Sequence, residues 1–153
     1  SATRVYDAWI VRAFHAAGDF IHRPRWRAGV RTVEQIQHWL PRIGMRCVCR
    51  MDNGDVVTLT SKYLQWLSDF VEFCETDSTG NMTWYTLRGV DDNRTEVKLD
   101  YYIPRKFPTT LWFRLAGKSA VKQSLDRSLE NLEKVVAEIR LLDDEPVGTA
   151  DYQ

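Results

Sequence analysis

Hydrophobic residues recur at three- and four-residue steps from Ser119 to Leu142, at Val121, Leu125, Ser128/Leu129, Leu132, Val135/Val136, Ile139 and Leu142. That spacing predicts a long amphipathic helix, with Lys122, Asp126, Arg127, Glu130, Glu133, Lys134 and Glu138 mostly on its other face. The sequence before it follows a different period. Met45, Cys47, Cys49 and Met51 alternate with Arg46, Val48 and Arg50. Val97, Leu99, Tyr101 and Ile103 alternate with Glu96, Lys98, Asp100 and Tyr102. A period of two is that of an antiparallel strand buried on one face. Strands are predicted over Val30–His38, Met45–Met51, Val56–Leu64, Asp69–Thr76, Met82–Val90 and Thr95–Ile103. Asp52-Asn53-Gly54-Asp55, Asp77 to Asn81, and Asp91-Asp92-Asn93 supply turns between them.

The opening reads as a helix from Ser1 to about His15, with Val5, Trp9, Ile10, Ala13 and Phe14 on one face and Ser1 or Thr3 as its cap. Gly18 breaks it, and a short second helix or turn follows over Asp19 to Arg25. Pro41 to Gly44 is a connection, and Pro104 to Pro108 ends the sheet. Thr109 to Gly117, with Leu111, Trp112, Phe113 and Leu115, leads into the long helix. Asp143 to Gln153 is acidic and aperiodic, as expected of a flexible tail. With no repeat or linker, residues 1–142 read as one domain. Strands followed by one long helix indicate an α+β fold, in which a curved sheet grips the helix and leaves room for a cavity.

A chain of 153 residues, 44% hydrophobic and 27% charged, can bury a sizeable core and is not of disordered composition. Lys+Arg and Asp+Glu are both 21, so no net charge draws it to nucleic acid or an anionic membrane. No apolar run reaches the length of a membrane span, and no signal peptide is visible. An odd set of cysteines, Cys47, Cys49 and Cys74, suits a reducing cytoplasm better than a disulfide scaffold. Cys47-x-Cys49 with scattered His15, His22 and His38 does not complete a four-ligand metal site. Buried thiols are expected, with no metal and no cofactor.

Several segments together resemble the START-like, or Bet v 1-like (SRPBCC), helix-grip superfamily. They are SATRVYDAWI, RPRWRAGVRTVEQ, the strand entry at Gly44, MDNGD, NRTEVKLDYYI and SLDRSLENLEKVV. Within the superfamily the chain is most similar to the polyketide cyclase/dehydrase and lipid-transport group. The resemblance implies seven antiparallel strands curled around the C-terminal helix. It also implies a largely apolar cavity between sheet, long helix and two short helices. Such proteins hold greasy molecules, and some cyclise or dehydrate polyketides. Members usually begin with a strand, whereas this chain is read as opening on a helix. The first strand is therefore expected to be missing, with an edge that a second subunit, as in a homodimer, or the tail would cover.

Inward strand faces supply the expected ligand-binding residues: Cys47, Cys49, Met51, Leu59 and Phe73, then Trp84, Thr86, Val97, Leu99 and Tyr101. Leu125 and Leu129 add the helix side. A one-residue slip in the sixth strand would exchange Trp84/Thr86 for Tyr85/Leu87. Trp26 is either a gate at the cavity mouth or an aromatic plug. Arg23, Arg25, Arg27 and Arg31 read as a solvated basic face. Glu72, Glu75, Arg88 and Asp100 lie on strands, but no spacing assembles a catalytic set. The expected function is binding or transport of a hydrophobic small molecule, without nucleic acid and without stable membrane insertion. The alternatives are a polyketide cyclase or dehydratase, whose mark would be a buried acid, base or arginine facing the cavity, and an interaction module resembling Hsp90 activators.

Overall fold

The computed structural model describes residues 1–36, 42–104 and 117–139. Its strands are β1 (Ala2–Tyr6), β2 (Val30–Glu34), β3 (Arg46–Met51), β4 (Val56–Leu67), β5 (Phe70–Asp77), β6 (Met82–Asp91) and β7 (Arg94–Tyr102). Its helices are α1 (Ile10–Gly18), a 3-10 turn at Phe20–His22, α2 (Arg23–Trp26) and the long α3 (Lys118–Glu138). The strands form one antiparallel sheet in the order β1-β7-β6-β5-β4-β3-β2. This is the expected α+β helix-grip architecture. Register shifts between Val30 and Thr32, Ser61 and Tyr63, and Gly89 and Asp91 bend the strands around the helix. Gly54, at φ 93°, supplies the left-handed residue of the β3–β4 turn.

The opening departs from expectation. Ala2 to Tyr6 is a strand, and α1 begins only at Ile10. Ala2 and Tyr6 are buried while Thr3 and Val5 are exposed, and β1 pairs with β7 from Ala2↔Leu99 to Tyr6↔Thr95. Local spacing also fits a helix here, but pairing with a strand some 90 residues later decides the outcome. The strand expected to be missing is therefore within the chain. Val5 and Trp9, assigned above to the buried helical face, are 48% and 39% exposed, whereas Ile10, Ala13 and Phe14 are buried as expected. The Thr95 hydroxyl donates to the Ala8 carbonyl at 2.8 Å and fixes the turn between β1 and α1. At the other edge β2 stops at Glu34 rather than His38, with Gln35 at φ 53° just beyond it. His38, Pro41, residues 109–116, Leu142 and the proposed tail lie outside the described residues.

The grip is built from α3's predicted stripe: Leu125, Leu129, Leu132, Val135 and Val136 are buried. They pack in one cluster with Tyr6, Phe14, Trp26, Phe73, Tyr85, Leu87, Val97 and Leu99. Two polar ties fix the helix against β1. The Tyr6 hydroxyl donates to the Leu129 carbonyl, and Arg4 pairs with Glu133 at 2.5 Å. Behind them, Phe73 stacks on Tyr85 at 4.3 Å and Phe14 meets Phe73 edge-on at 5.5 Å. Leu132 is fully buried at the centre of this contact. Leu132→Asp would leave an unpaired charge there, costing about 3–5 kcal/mol or more against a typical domain stability of about 5–15 kcal/mol. The variant is expected to lose its cooperative thermal transition in circular dichroism; a folded variant would contradict this placement.

Candidate functional site

The centre of the molecule holds a charged pair. Arg23 opens α2, where Pro24 at the first turn fixes the backbone. Its side chain is fully buried. Nε donates to the Ala17 carbonyl at 3.1 Å and Nη2 to the Gly18 carbonyl at 3.4 Å, so Arg23 caps the C-terminal end of α1. Nη1 donates to Glu75 Oε1 at 2.5 Å. Phe20 and Tyr85 lie with ring centres 5.1 Å from the guanidinium and Trp26 at 5.6 Å, forming an aromatic box. Burial by itself would lower the Arg23 pKa, but the Glu75 carboxylate and Tyr85 outweigh it and raise it. The guanidinium is charged at every working pH.

Glu75 projects inward from β5 by the same alternation as the buried Val71 and Phe73. It is 3% exposed. Oε1 accepts from both Arg23 and the Tyr85 hydroxyl, the latter at 2.7 Å. Oε2 is buried and has no partner among the described residues. Burial raises the Tyr85 pKa, so its hydroxyl stays protonated and donates. A buried ion pair of this kind is seldom more stabilising than an apolar replacement. An orphaned oxygen beside it makes this a candidate functional site.

Glu75 and Arg23 line a cavity of about 80 Å³. Val30, Cys49, Met51, Val57 and Leu59 form its apolar side; Asp77, Asn81, Thr83, Arg27 and Tyr101 are polar contributors, with Ala28 beside them. Its volume is well below the roughly 300–1,000 Å³ of a drug-sized site. A second, more open chamber of about 200 Å³ adjoins it, lined by Val121, Ser124 and Leu125. Arg27, Ala28, Met51 and Tyr101 line both chambers and form the partition. Arg27 lies 5.9 Å over the Tyr101 ring and reaches the Ser128 hydroxyl at 3.4 Å. The same hydroxyl accepts from the Ala28 amide at 2.9 Å, which ties the partition to α3.

The sequence-predicted residues divide into three groups. Cys49, Met51, Leu59 and Tyr101 line the inner cavity, and Leu125 lines the outer chamber. Cys47, Phe73, Val97, Leu99 and Leu129 are packed core. Trp84 and Thr86 require correction. β6 buries Thr83, Tyr85 and Leu87, so the one-residue slip is realised and Trp84 sits on the outer face, 5.4 Å from the Tyr63 ring. Trp26 is fully buried, edge-on to Tyr85 at 6.3 Å, and is the plug rather than an exposed gate. The cavity is also more polar than expected, because Arg23 is no part of a solvated face. Arg25 does lie at the surface, paired with Glu138. Arg23 and Glu75, named in the sequence as part of a solvated face and as a strand carboxylate, were not assigned to the site. The period of β5 already placed Glu75 with Val71 and Phe73, whereas nothing in the spacing of α2 marked Arg23.

Removing one partner of the pair should cost far more than removing both. Arg23→Met is expected to lower unfolding stability by about 3–5 kcal/mol in urea titration, and Arg23→Met/Glu75→Leu to recover most of it. A double variant whose loss is the sum of the two single losses would show that the pair is not coupled. A second expectation concerns pH. Burial holds the pKa of His15 and His22 below the usual 6.5, despite Asp19 nearby, while Arg25 also disfavours charging His22. The unfolded chain then binds more protons, so this contribution is present above about pH 6.5 and lost as pH falls through the folded pKa values. His15→Gln/His22→Gln should flatten the fall in melting temperature below pH 6.5.

No protein-family model matches the sequence, and no curated protein matches it. Solved structures do. The hypothetical protein jhp0584 from Helicobacter pylori superposes with a TM-score of 0.68 at 8% identity, over 87% of this chain and 84% of that one. A START superfamily protein from Mycobacterium smegmatis gives 0.55 at 14% identity, over 87% and 94%. DynU16, from the dynemicin biosynthetic locus, gives 0.58 at 11% identity, over 90% of this chain and 46% of that one. Identities this low speak for the fold alone. Among the described residues no helix is long and apolar enough to cross a membrane. The chain shares with these structures the fold in which a curved sheet grips a long helix, here enclosing a site of mixed polarity.

Proposed function

We propose that this chain binds a small hydrophobic molecule whose polar head donates a hydrogen bond to Glu75. The observation that carries this reading is the buried, unpartnered Oε2 of Glu75, a residue that lines the cavity. Oε1 is saturated by Arg23 and Tyr85, so Oε2 is the acceptor left for a guest. A buried acceptor without a partner costs about 1–3 kcal/mol, and a donor that fills the vacancy recovers it. Arg23 already balances the Glu75 charge, which favours a neutral hydroxyl over an ammonium. The first carbons behind the guest's head would lie against Val30, Val57 and Leu59, where leaving water is worth roughly 25 cal/mol per Å². The START-like architecture, common to proteins that hold greasy molecules, supports the same reading as an analogy.

A second reading has its own support. Glu75, held by Arg23 and Tyr85, is the kind of buried acid that a cyclase or dehydratase needs facing its substrate. A structural neighbour from a biosynthetic locus favours it by association. The two readings part on whether a bound guest is returned unchanged or converted, which mass spectrometry of the bound fraction reads directly.

The binding reading is tested with butanol and its isomer methyl propyl ether, which match in size while only the alcohol carries a donor. The alcohol is expected to raise the melting temperature in a concentration-dependent way, and the ether to bind at least about tenfold more weakly, the loss of one hydrogen bond to a charged acceptor. Equal binding of the two, or none, would remove Glu75 as the head's acceptor.

A further inference from the structure

We infer that the ligand is a linear amphiphile, a straight-chain alcohol or similar, with its head beside Glu75 and its tail passing the Met51–Tyr101 partition into the outer chamber. This rests on the proposed role of Glu75 and adds the shape of the guest. The inner cavity of about 80 Å³ has room for about three waters, too little for a head together with a greasy body. The body must therefore leave the inner cavity, and the walls restrict where it goes.

Two chambers border the inner one through Arg27 and Ala28. The first has Trp26 and Val30 among its lining residues, but Arg27, Arg31, Asp52, Arg127 and Asn131 make its surface mainly polar, a poor wall for an apolar tail. The second carries Val121 and Leu125 of α3 and shares Met51 and Tyr101 with the inner cavity. It is the apolar exit. The partition suits a narrow guest. Met51 is half-buried, unbranched and able to change rotamer, and its terminal methyl lies near the open side of Gly29. Tyr101 and Arg27 are held against each other, and Arg27 is also tied to Ser128 of α3. A swing of Met51 would join the chambers by a passage one side chain wide, which a polymethylene chain can thread and a fused ring cannot.

The test is a homologous series of primary alcohols from butanol to decanol, titrated calorimetrically into the whole protein, with naphthol as a fused-ring comparator. Affinity is expected to rise about fourfold per methylene while the tail fills the outer chamber, and then to level off. Decanol should exceed naphthol, although the two have the same number of carbons. Val121→Trp narrows the outer chamber and is expected to abolish the length dependence; should it fail to fold, Ser124→Phe serves the same purpose. Binding that does not depend on length, naphthol binding as tightly as decanol, or an unchanged slope in the folded variant would overturn the linear ligand while leaving the Glu75 head site standing. Failure of every alcohol to bind would instead sink the Glu75 reading itself.

Discussion

The ion pair between Arg23 and Glu75 is the contact on which the interior is organised. It joins three parts of the molecule that share no backbone hydrogen bonds: the end of α1, through the carbonyls of Ala17 and Gly18; the start of α2; and the middle of β5. Two opposite charges withdrawn from water must be close and fully hydrogen-bonded to persist. That demand fixes the position of α2 against the sheet, and with it Trp26, which plugs the core, and Arg27, which forms the partition. One carboxylate oxygen is left without a partner among the described residues, in a side chain that lines the inner cavity. The oxygen that anchors the pair and the oxygen left without a partner thus belong to the same carboxylate.

The long helix depends on a more ordinary device. Its apolar stripe alone would allow it to roll or slide on the sheet. The bonds from Tyr6 to the Leu129 carbonyl and from Arg4 to Glu133, together with the Ser128 and Asn131 contacts to the α2–β2 connection, pin both rotation and depth. The outer chamber lies beside the first turns of α3, ahead of these ties. The part of the helix that borders the outer chamber therefore lies outside the span that these ties pin.

Much of the fold was legible. Periods of two and 3.6 marked β3, β7 and α3, because each has one wet and one dry face and little else competes. The opening was not legible. The residues of β1 satisfy both periods, and the partner that chooses between them, β7, lies some 90 residues away in sequence. In β6 the alternation was clear but its phase was not: Trp84 and Tyr85 are both large and aromatic, so hydrophobicity could not say which faced inward. The site was partly legible. Cys49, Met51, Leu59 and Tyr101 followed from alternation. Arg23 did not, because a four-residue helix has too short a pattern to show a face, and four arginines in nine residues suggest a surface.

The pairing of β1 with β7 also has a temporal side. On a ribosome the first strand would emerge long before residues 94–102, the neighbours it hydrogen-bonds, and before α3, the helix that covers it. Ala2–Tyr6 must wait unpaired through most of synthesis, and the loop that its docking closes is nearly the length of the sheet-forming region. Such distant contacts are entropically expensive and form late. The β3-to-β7 meander, stitched by short turns, is the natural place for folding to begin, and β1 docks on β7 last.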